Sequence, residues 1–157
     1  LRSHAPEEIF SRANDQIHKA SFSGMFCTCF TMVVDREKRT FSYASAGHNP
    51  QLYYDSAADT FVELPRTGRA LGITDKSVYS AVTKSYKPGD AAVLFTDGLF
   101  EQGAECELSM EEIQSLVRRH RASGAAALCD AVSSLIRMNA SKREPADDST
   151  FAVVFFK

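Results

Sequence analysis

Acidic residues adjoin two apolar segments of this chain, and carboxylates placed in this way can bind a metal ion. Asp97 comes just after the apolar run at residues 91–95, and Asp147 and Asp148 come shortly before the apolar run at residues 151–156. If the two runs are neighbouring antiparallel strands, these acids meet at one edge of the sheet. Carboxylates gathered there repel one another unless a cation lies between them. The sequence therefore predicts a site for a hard metal ion at the rim of a sheet.

The neighbouring acids Asp147 and Asp148 cannot share one role. Side chains alternate along a strand, so only one of the two would point to the metal. Simpler interpretations stay open, because Asp97 and Gly98 could form an ordinary turn and residues 147–150 could form a polar turn before a strand. Since both segments adjoin apolar strands, a shared site is favoured over two unrelated turns.

The composition excludes several other classes of protein. The 157 residues carry a net charge of −2, which gives no electrostatic basis for nucleic-acid binding. No apolar run is as long as a membrane span, and no signal peptide is visible. We therefore expect residues 1–157 to form a single domain with a core of its own.

The four cysteines are Cys27, Cys29, Cys106 and Cys129. They form no CxxC pair, and no histidine stands at zinc-finger spacing from them. Cys27 and Cys29 would share one face of a strand, which suits reduced thiols in the core better than a redox or metal role. This usage of cysteine favours a reducing, cytoplasmic environment.

Hydrophobic periodicity and turn residues predict an α+β fold with antiparallel sheet. Helices are expected at residues 5–20, 110–120 and 124–139. The apolar stripe of the first helix would comprise Ile9, Phe10, Ala13, Ile17 and Ala20. Strands are expected at residues 26–35, 40–46, 51–54, 61–64, 78–86, 91–95 and 151–156. The last strand is apolar at nearly every position, so we expect it to be buried on both faces and central in its sheet.

A series of short motifs resembles the PPM-type (type 2C) serine/threonine phosphatases, in their bacterial SpoIIE/RsbU-like branch. In chain order the motifs are Tyr43-Ala44-Ser45-Ala46-Gly47-His48-Asn49-Pro50, Leu71-Gly72, Lys87-Pro88-Gly89-Asp90, Leu94-Phe95-Thr96-Asp97-Gly98 and Asp147-Asp148-Ser149-Thr150. The resemblance implies an antiparallel β-sandwich flanked by helices, in α-β-β-α layers. It also implies two Mn²⁺ or Mg²⁺ ions bridged by water.

The same resemblance assigns roles to the acidic segments. Asp97 matches the aspartate of the family's TDG signature and Asp147 the first acid of its DDxT signature, and both would be metal ligands that carry catalysis. Gly98 would let the backbone approach the metal site closely. Asp148 and Thr150 would support the site without ligating. The candidate metal site therefore comprises Asp97, Gly98, Asp147 and Asp148.

The absence of a marked nucleophile agrees with metal-dependent hydrolysis of a phosphomonoester. A metal pair activates water and neutralises phosphoryl charge, so no covalent intermediate is required. The sequence has no Cys-x5-Arg loop and no Gly-x-Ser-x-Gly motif. A haloacid-dehalogenase-type phosphatase would need a second acid two positions after Asp97, where Leu99 stands.

His48, Arg66 and Arg69 are candidates for a role beside the acidic residues. His48 could be a general acid, although ordering the loop at residues 47–50 is the favoured role. Arg66 and Arg69 could reach a phosphate or could be solvated.

The resemblance is incomplete at the start of the chain. The family domain normally begins earlier, with a Gly-Asp-Tyr-Tyr-Asp-like and an Asp-x-Ser-Gly-His-Gly-like segment, and neither occurs here. With only Asp97 and Asp147, two divalent ions would have too few ligands, since each prefers about six oxygens. We therefore expect this chain alone to be weakly active or inactive, and we expect exposed sheet edges to promote homodimerisation or strand exchange.

The leading hypothesis is a metal-dependent protein phosphatase. By resemblance, its substrate would be phosphoserine or phosphothreonine on a bacterial regulatory protein, with an anti-sigma-factor antagonist of the STAS type as the expected partner. One alternative is a non-catalytic interaction domain, a pseudophosphatase that keeps the scaffold to bind a partner. Another is a plain structural α+β domain in which the aspartates are turn residues. Carboxylates retained at one rim favour the enzyme.

Overall fold

The computed structural model describes residues 5–20, 24–100, 108–140 and 148–157. The helices are α1 (Pro6–Ala20), α2 (Met110–His120) and α3 (Ala125–Ala140). The strands are β1 (Cys29–Asp35), β2 (Thr40–Ala46), β3 (Gln51–Asp55), β4 (Thr60–Leu64), β5 (Val82–Ser85), β6 (Ala91–Phe95) and β7 (Phe151–Phe155). Within the part of the chain that is described, no helix is long and apolar enough to cross a bilayer.

The chain divides into two compact units. The first unit comprises residues 1–50 and 64–86, and the second comprises residues 51–63 and 87–157. Each unit contains one sheet with antiparallel strand pairs and at least one helix. The predicted α+β class is therefore confirmed.

The sheet of the first unit has the strand order β1-β2-β5. β1 pairs with β2 along its whole length, from Cys29 opposite Ala46 to Asp35 opposite Thr40. Helix α1 packs against these strands because its residue Phe10 belongs to an apolar core cluster with Ala44, Ala46, Leu71 and Tyr79.

The buried stripe of α1 differs from the predicted one. Ile9 and Ala20 are exposed, whereas Asn14 is buried. The Asn14 side chain accepts a hydrogen bond from the Gly72 backbone N–H and donates one to the Thr74 carbonyl, both at 2.9 Å. A loop crosses the helix here and its backbone groups need partners, which an amide can supply from both of its ends. Apolar periodicity cannot reveal such a residue.

Two predicted strands of the first unit are too long. The segment expected at residues 26–35 becomes regular only at Cys29, and the one expected at residues 78–86 only at Val82. Before these points the backbone pairs with loops: Cys27 and Leu71 exchange N–H···O bonds of 3.0 and 2.8 Å. Tyr79 instead packs edge-on against Phe10, with ring centroids 5.6 Å apart.

The prediction of core thiols is wrong for Cys27 and holds in part for Cys29, which packs against the core cluster of the first unit. Cys27 is exposed and Cys29 is half-buried, because Cys27 pairs with a loop at the margin of the sheet. Burial raises the pKa of the Cys29 thiol, and the charge interaction with the neighbouring Cys27 raises it by a smaller amount. Cys27, Cys29 and Cys129 are free thiols, and Cys106 lies outside the described residues.

The sheet of the second unit has the strand order β4-β3-β6-β7. Its β6 is buried on both faces, and Ala91, Ala92 and Val93 have no exposed surface. Side chains of β3, β6, α2 and α3 share one apolar cluster that includes Leu52, Val93, Leu99, Ile113, Leu116, Val117, Leu128 and Val132. This cluster fixes β6, the strand that leads to Asp97.

The predicted central, doubly buried position of the last strand is wrong. β7 is the end strand of its sheet as described, paired with β6 from Ala91 opposite Phe155 to Phe95 opposite Phe151. Its residues are half-buried, except for the exposed Ala152. Apolar side chains at the end of a sheet can be covered on one face by helices, so an unbroken apolar run does not distinguish an edge strand from a central one.

The start of β6 is fixed by a buried carboxylate. Asp90 is 2% exposed and accepts hydrogen bonds from the Tyr53 hydroxyl, from the backbone N–H and hydroxyl of Ser56 (both 2.9 Å), and from the Lys87 backbone N–H (2.7 Å). Burial alone would raise the pKa of Asp90, but these hydrogen bonds outweigh it and hold the pKa below its ordinary value. The carboxylate thereby joins the turn after β3 to the turn before β6.

We expect Asp90→Asn to lower the free energy of unfolding by about 2 kcal/mol, because hydrogen bonds to a charged acceptor are lost and buried donors lose partners. Urea unfolding followed by circular dichroism at pH 7 measures the change. The control Asp130→Asn, at an exposed position of α3, should change stability by less than about 0.5 kcal/mol.

The pH dependence gives a second readout of the same variant. Since the folded pKa of Asp90 is lowered from 3.8, its stabilisation is complete above that pH and is lost as the pH falls through the folded pKa. The difference between wild type and Asp90→Asn should therefore be constant near neutrality and shrink in acid. A difference that grows in acid would contradict this assignment.

Candidate functional site

The strand β6 delivers Asp97 to the end of the sheet through a short, ordered turn. Thr96 is still extended, and residues Asp97–Leu99 then form one 3-10 turn, closed by bonds from Leu99 N–H to the Thr96 carbonyl (3.1 Å) and from Phe100 N–H to the Asp97 carbonyl (2.8 Å). Leu99 is fully buried in the apolar cluster of the second unit. The acidic turn is therefore held by the core beneath it.

The side chain of Asp97 is exposed at this end of the strand. Its Oδ1 accepts a hydrogen bond of 3.1 Å from the backbone N–H of Gly98, which is itself buried. One carboxylate oxygen is thus oriented by the backbone, while the group as a whole faces outward.

The segment at residues 148–150 is bound directly to this turn. The Thr96 N–H donates to the Thr150 carbonyl (3.1 Å), and the Thr150 N–H donates to Thr96 Oγ1 (2.9 Å). Ser149 Oγ donates to the Gly98 carbonyl at 2.7 Å, and Thr96 Oγ1 donates to the Asp148 carbonyl at 3.4 Å. Two sequence-distant motifs therefore meet at one rim, as the antiparallel pairing of β6 and β7 requires.

Of the predicted site residues, the structure brings Asp97, Gly98 and Asp148 into this junction, and Asp148 is exposed. Asp147 lies outside the described residues, and its role as a metal ligand stays a prediction. The pairing of β6 and β7 places both segments at one rim, and their use as a shared metal site stays a prediction.

His48, Arg66 and Arg69 belong to the first unit. His48 is half-buried, and its Nδ1 lies 3.0 Å from the Asn49 carbonyl oxygen, as befits the ordering of its own loop. Arg66 and Arg69 are exposed. The contact of His48 favours the ordering of its loop, and a catalytic or phosphate-binding role for any of the three residues stays a prediction.

The chemistry of the junction suits a hard cation, since it presents carboxylate and carbonyl oxygens. Across residues 5–20, 24–100, 108–140 and 148–157, however, there is no group of three or more His, Cys, Asp or Glu side chains that could hold a metal ion. The donor type therefore fits Mn²⁺ or Mg²⁺, but the described side chains are too few to complete the coordination of two ions.

Sequence reasoning missed Gln51, which is 1% exposed at the start of β3. Its Oε1 accepts a hydrogen bond from the Phe95 N–H (2.6 Å), and its Nε2 donates to the Phe95 carbonyl (3.1 Å). The available signal was an uncharged polar residue that opens an otherwise apolar segment directly after Pro50. This signal is weak, because a polar residue beside a proline usually indicates a turn.

Comparison with known proteins shows which family this chain belongs to. A family model described as Stage II sporulation protein E (SpoIIE) matches residues 1–157. The chain belongs to the SpoIIE family. The predicted resemblance to SpoIIE/RsbU-like PPM phosphatases is therefore confirmed.

Individual relatives of this SpoIIE-family chain agree with the match. It is 33% identical over 121 residues to phosphoserine phosphatase RsbU of Bacillus subtilis (strain 168). The aligned region covers 76% of this chain but only 36% of RsbU. It shares the fold of the SiaA-PP2C domain of Pseudomonas aeruginosa, with a TM-score of 0.72 at 23% identity, covering 100% of this chain and 63% of that one.

A third relative, whose structure was solved after presoaking with Mn, also shares the fold. The phosphatase domain of SpoIIE from Bacillus subtilis matches with a TM-score of 0.59 at 19% identity, covering 99% of this chain and 67% of that one. The fold is thus shared along nearly all of the chain, although the chain spans about a third of RsbU and under two thirds of the SiaA domain's chain.

We expect Thr96→Val and Ser149→Ala to loosen the junction, because each removes a hydroxyl that bonds the segment at residues 148–150 to the acidic turn. Each should lower the free energy of unfolding by about 1 kcal/mol and speed amide exchange at Thr150. Hydrogen exchange with chemical denaturation measures both effects.

The matched control is Thr60→Val at an exposed position of β4. It should leave exchange at Thr150 unchanged. Equal exchange at Thr150 in Thr96→Val and wild type would show that these hydroxyls do not hold the junction.

Proposed function

We propose that this chain carries catalytic residues of a metal-dependent protein phosphatase that hydrolyses phosphoserine or phosphothreonine. The observation that carries the proposal is the hydrogen-bonded junction of the Thr96-Asp97-Gly98 turn with residues 148–150. Membership of the SpoIIE family and the similarity to phosphoserine phosphatase RsbU support it. We further propose that residues 1–157 act as a single phosphatase domain.

In this proposal, the exposed Asp97 carboxylate is a metal ligand. The Gly98 N–H fixes the rotation of the carboxylate through Oδ1, which reduces the freedom lost on binding. Asp147 is the proposed second ligand, and the bond from Thr96 to the adjacent Asp148 carbonyl fixes the backbone next to it. When bound, Mn²⁺ or Mg²⁺ supplies an activated water and neutralises the charge of the phosphoryl group.

The proposed substrate is a phosphorylated regulatory protein, with an anti-sigma-factor antagonist of the STAS type as the expected partner. The support is similarity: the curated relative RsbU is a phosphoserine phosphatase, and one solved relative combines RsbU and RsbW domains in Rv1364c from Mycobacterium tuberculosis. Phosphate release from a phosphoserine-bearing STAS protein, compared with a phosphotyrosine peptide, tests this choice of substrate.

We also propose that the isolated chain is weakly active, because the described donors near Asp97 are too few for two ions. The end strand β7 has its backbone paired with β6 alone among the described strands, which supports homodimerisation through that edge. In sedimentation velocity the chain should sediment as a dimer that dissociates on dilution. A monomer at every concentration would contradict this part of the proposal.

The test of the metal role is Asp97→Asn, which preserves size and removes the charge. We expect the affinity for Mn²⁺ to fall at least about tenfold, because an anionic oxygen is replaced by a neutral amide. Electron paramagnetic resonance of free Mn²⁺ measures the binding, and release of phosphate from a phosphoserine peptide measures turnover.

Asp130→Asn is the matched control, since Asp130 is also exposed in the second unit but lies on α3. It should bind Mn²⁺ as wild type does. Equal Mn²⁺ affinity in wild type and Asp97→Asn would favour the non-catalytic interaction domain. Rapid turnover by wild type would contradict the weak activity proposed for this chain.

A further inference from the structure

The contact between Gln51 and Phe95 is unusual because one side chain meets both backbone groups of a single residue. Gln51 Oε1 lies 2.6 Å from the Phe95 nitrogen and Nε2 lies 3.1 Å from the Phe95 carbonyl oxygen. Both residues are buried, at 1% and 5% exposure. The side-chain amide therefore does for Phe95 what a paired backbone residue does in a β-ladder.

A side-chain amide bonds the Phe95 backbone here because the backbone ladder between β3 and β6 ends just before Phe95. Backbone groups alternate in direction along a strand, so Phe95 directs its N–H and carbonyl to the β3 side, whereas the Thr96 N–H bonds to Thr150 on the β7 side. The paired register of β3 and β6 runs from Tyr54 to Leu52. The residue before Gln51 is Pro50, which has no N–H for a further rung. The Gln51 amide supplies that donor.

The contact between Gln51 and Phe95 affects the acidic turn at Asp97–Leu99, which follows Phe95 closely in the chain. Phe95 is two residues before Asp97, and its ring packs edge-on against Phe100 at 5.1 Å, just after the turn. The chain leaving β6 is thus held on one side by Gln51 and on the other by Thr150. Without the amide, two buried backbone groups of Phe95 would have to reach other partners, and the turn would move with them.

We propose that Gln51 is a positioning residue for Asp97, acting through Phe95 to fix the direction in which the acidic turn leaves the sheet. The part of this inference that concerns metal binding by Asp97 rests on the proposed function. The mechanical part, that Gln51 orders the turn, is independent of any metal and is tested separately.

The first experiment measures order in the turn by amide hydrogen exchange in NMR. Gln51→Leu removes both hydrogen bonds, and ionised Gln51→Glu keeps the shape and the accepting oxygen but puts a carboxylate oxygen against the Phe95 carbonyl oxygen in place of the donor. The readout is exchange at Leu99 and Phe100, whose N–H groups close the turn, relative to exchange at Val93 in the middle of β6. This ratio corrects for a loss of stability of the whole sheet.

We expect the ratio to rise at least about tenfold in both Gln51→Leu and ionised Gln51→Glu, because both leave the Phe95 carbonyl without its donor. The control Tyr53→Phe also removes a buried hydrogen bond of β3, but at the opposite end of β6, beside Asp90. It should lower stability and leave the ratio unchanged. If Gln51→Leu does not fold, Gln51→Glu decides, and an unchanged ratio in the folded variant overturns the inference.

The second experiment measures Mn²⁺ affinity in the same variants. Gln51→Leu should bind Mn²⁺ at least about tenfold more weakly than Tyr53→Phe. Faster exchange in the turn with wild-type affinity for Mn²⁺ would show that Gln51 orders the turn but does not position Asp97 for a ligand, which overturns the proposal. If Asp97→Asn binds as wild type does, the proposed function fails, and the exchange ratio still decides whether Gln51 orders the turn.

Discussion

The second unit depends on one constraint: a strand buried on both faces must reach the surface with every backbone group hydrogen-bonded. β6 meets this constraint at its start through Asp90, which gathers donors from two turns, and at its end through Gln51 and Thr150. Unpaired buried peptide groups cost free energy comparable to a lost hydrogen bond. The acidic turn at Asp97 therefore follows a strand that is hydrogen-bonded at both of its ends.

The same constraint relates three motifs of the SpoIIE family that lie apart in the sequence to the two ends of β6. The Lys87-Pro88-Gly89-Asp90 turn sets the start of β6, the Thr96-Asp97-Gly98 turn ends it, and residues 148–150 pair with that end. Antiparallel pairing of β6 and β7 places the exit of one strand beside the entrance of the other. The turn that carries Asp97 and the segment at residues 148–150 are thereby brought together, although they lie far apart in the sequence.

Much of this arrangement could be predicted. Apolar runs located β6 and β7, the charged and glycine-containing turns located the breaks, and acids beside apolar runs indicated the rim. Predictions failed where a residue's environment came from distant segments. Asn14 is buried because a loop near Gly72 needs both a donor and an acceptor, and Cys27 is exposed because it pairs with the loop at Leu71. Local periodicity carries no information about either loop.

The sequence by itself determined the α+β class, the two acidic segments and the family, because side-chain period, turn chemistry and motif spacing are properties of short stretches. Only the tertiary structure decided that β7 lies at the end of its sheet as described, and that Gln51 completes the backbone bonding of Phe95. The physical reason is that strand order and side-chain-to-backbone pairing join residues more than forty positions apart. Such partners are selected by the packed core, and no local pattern specifies them.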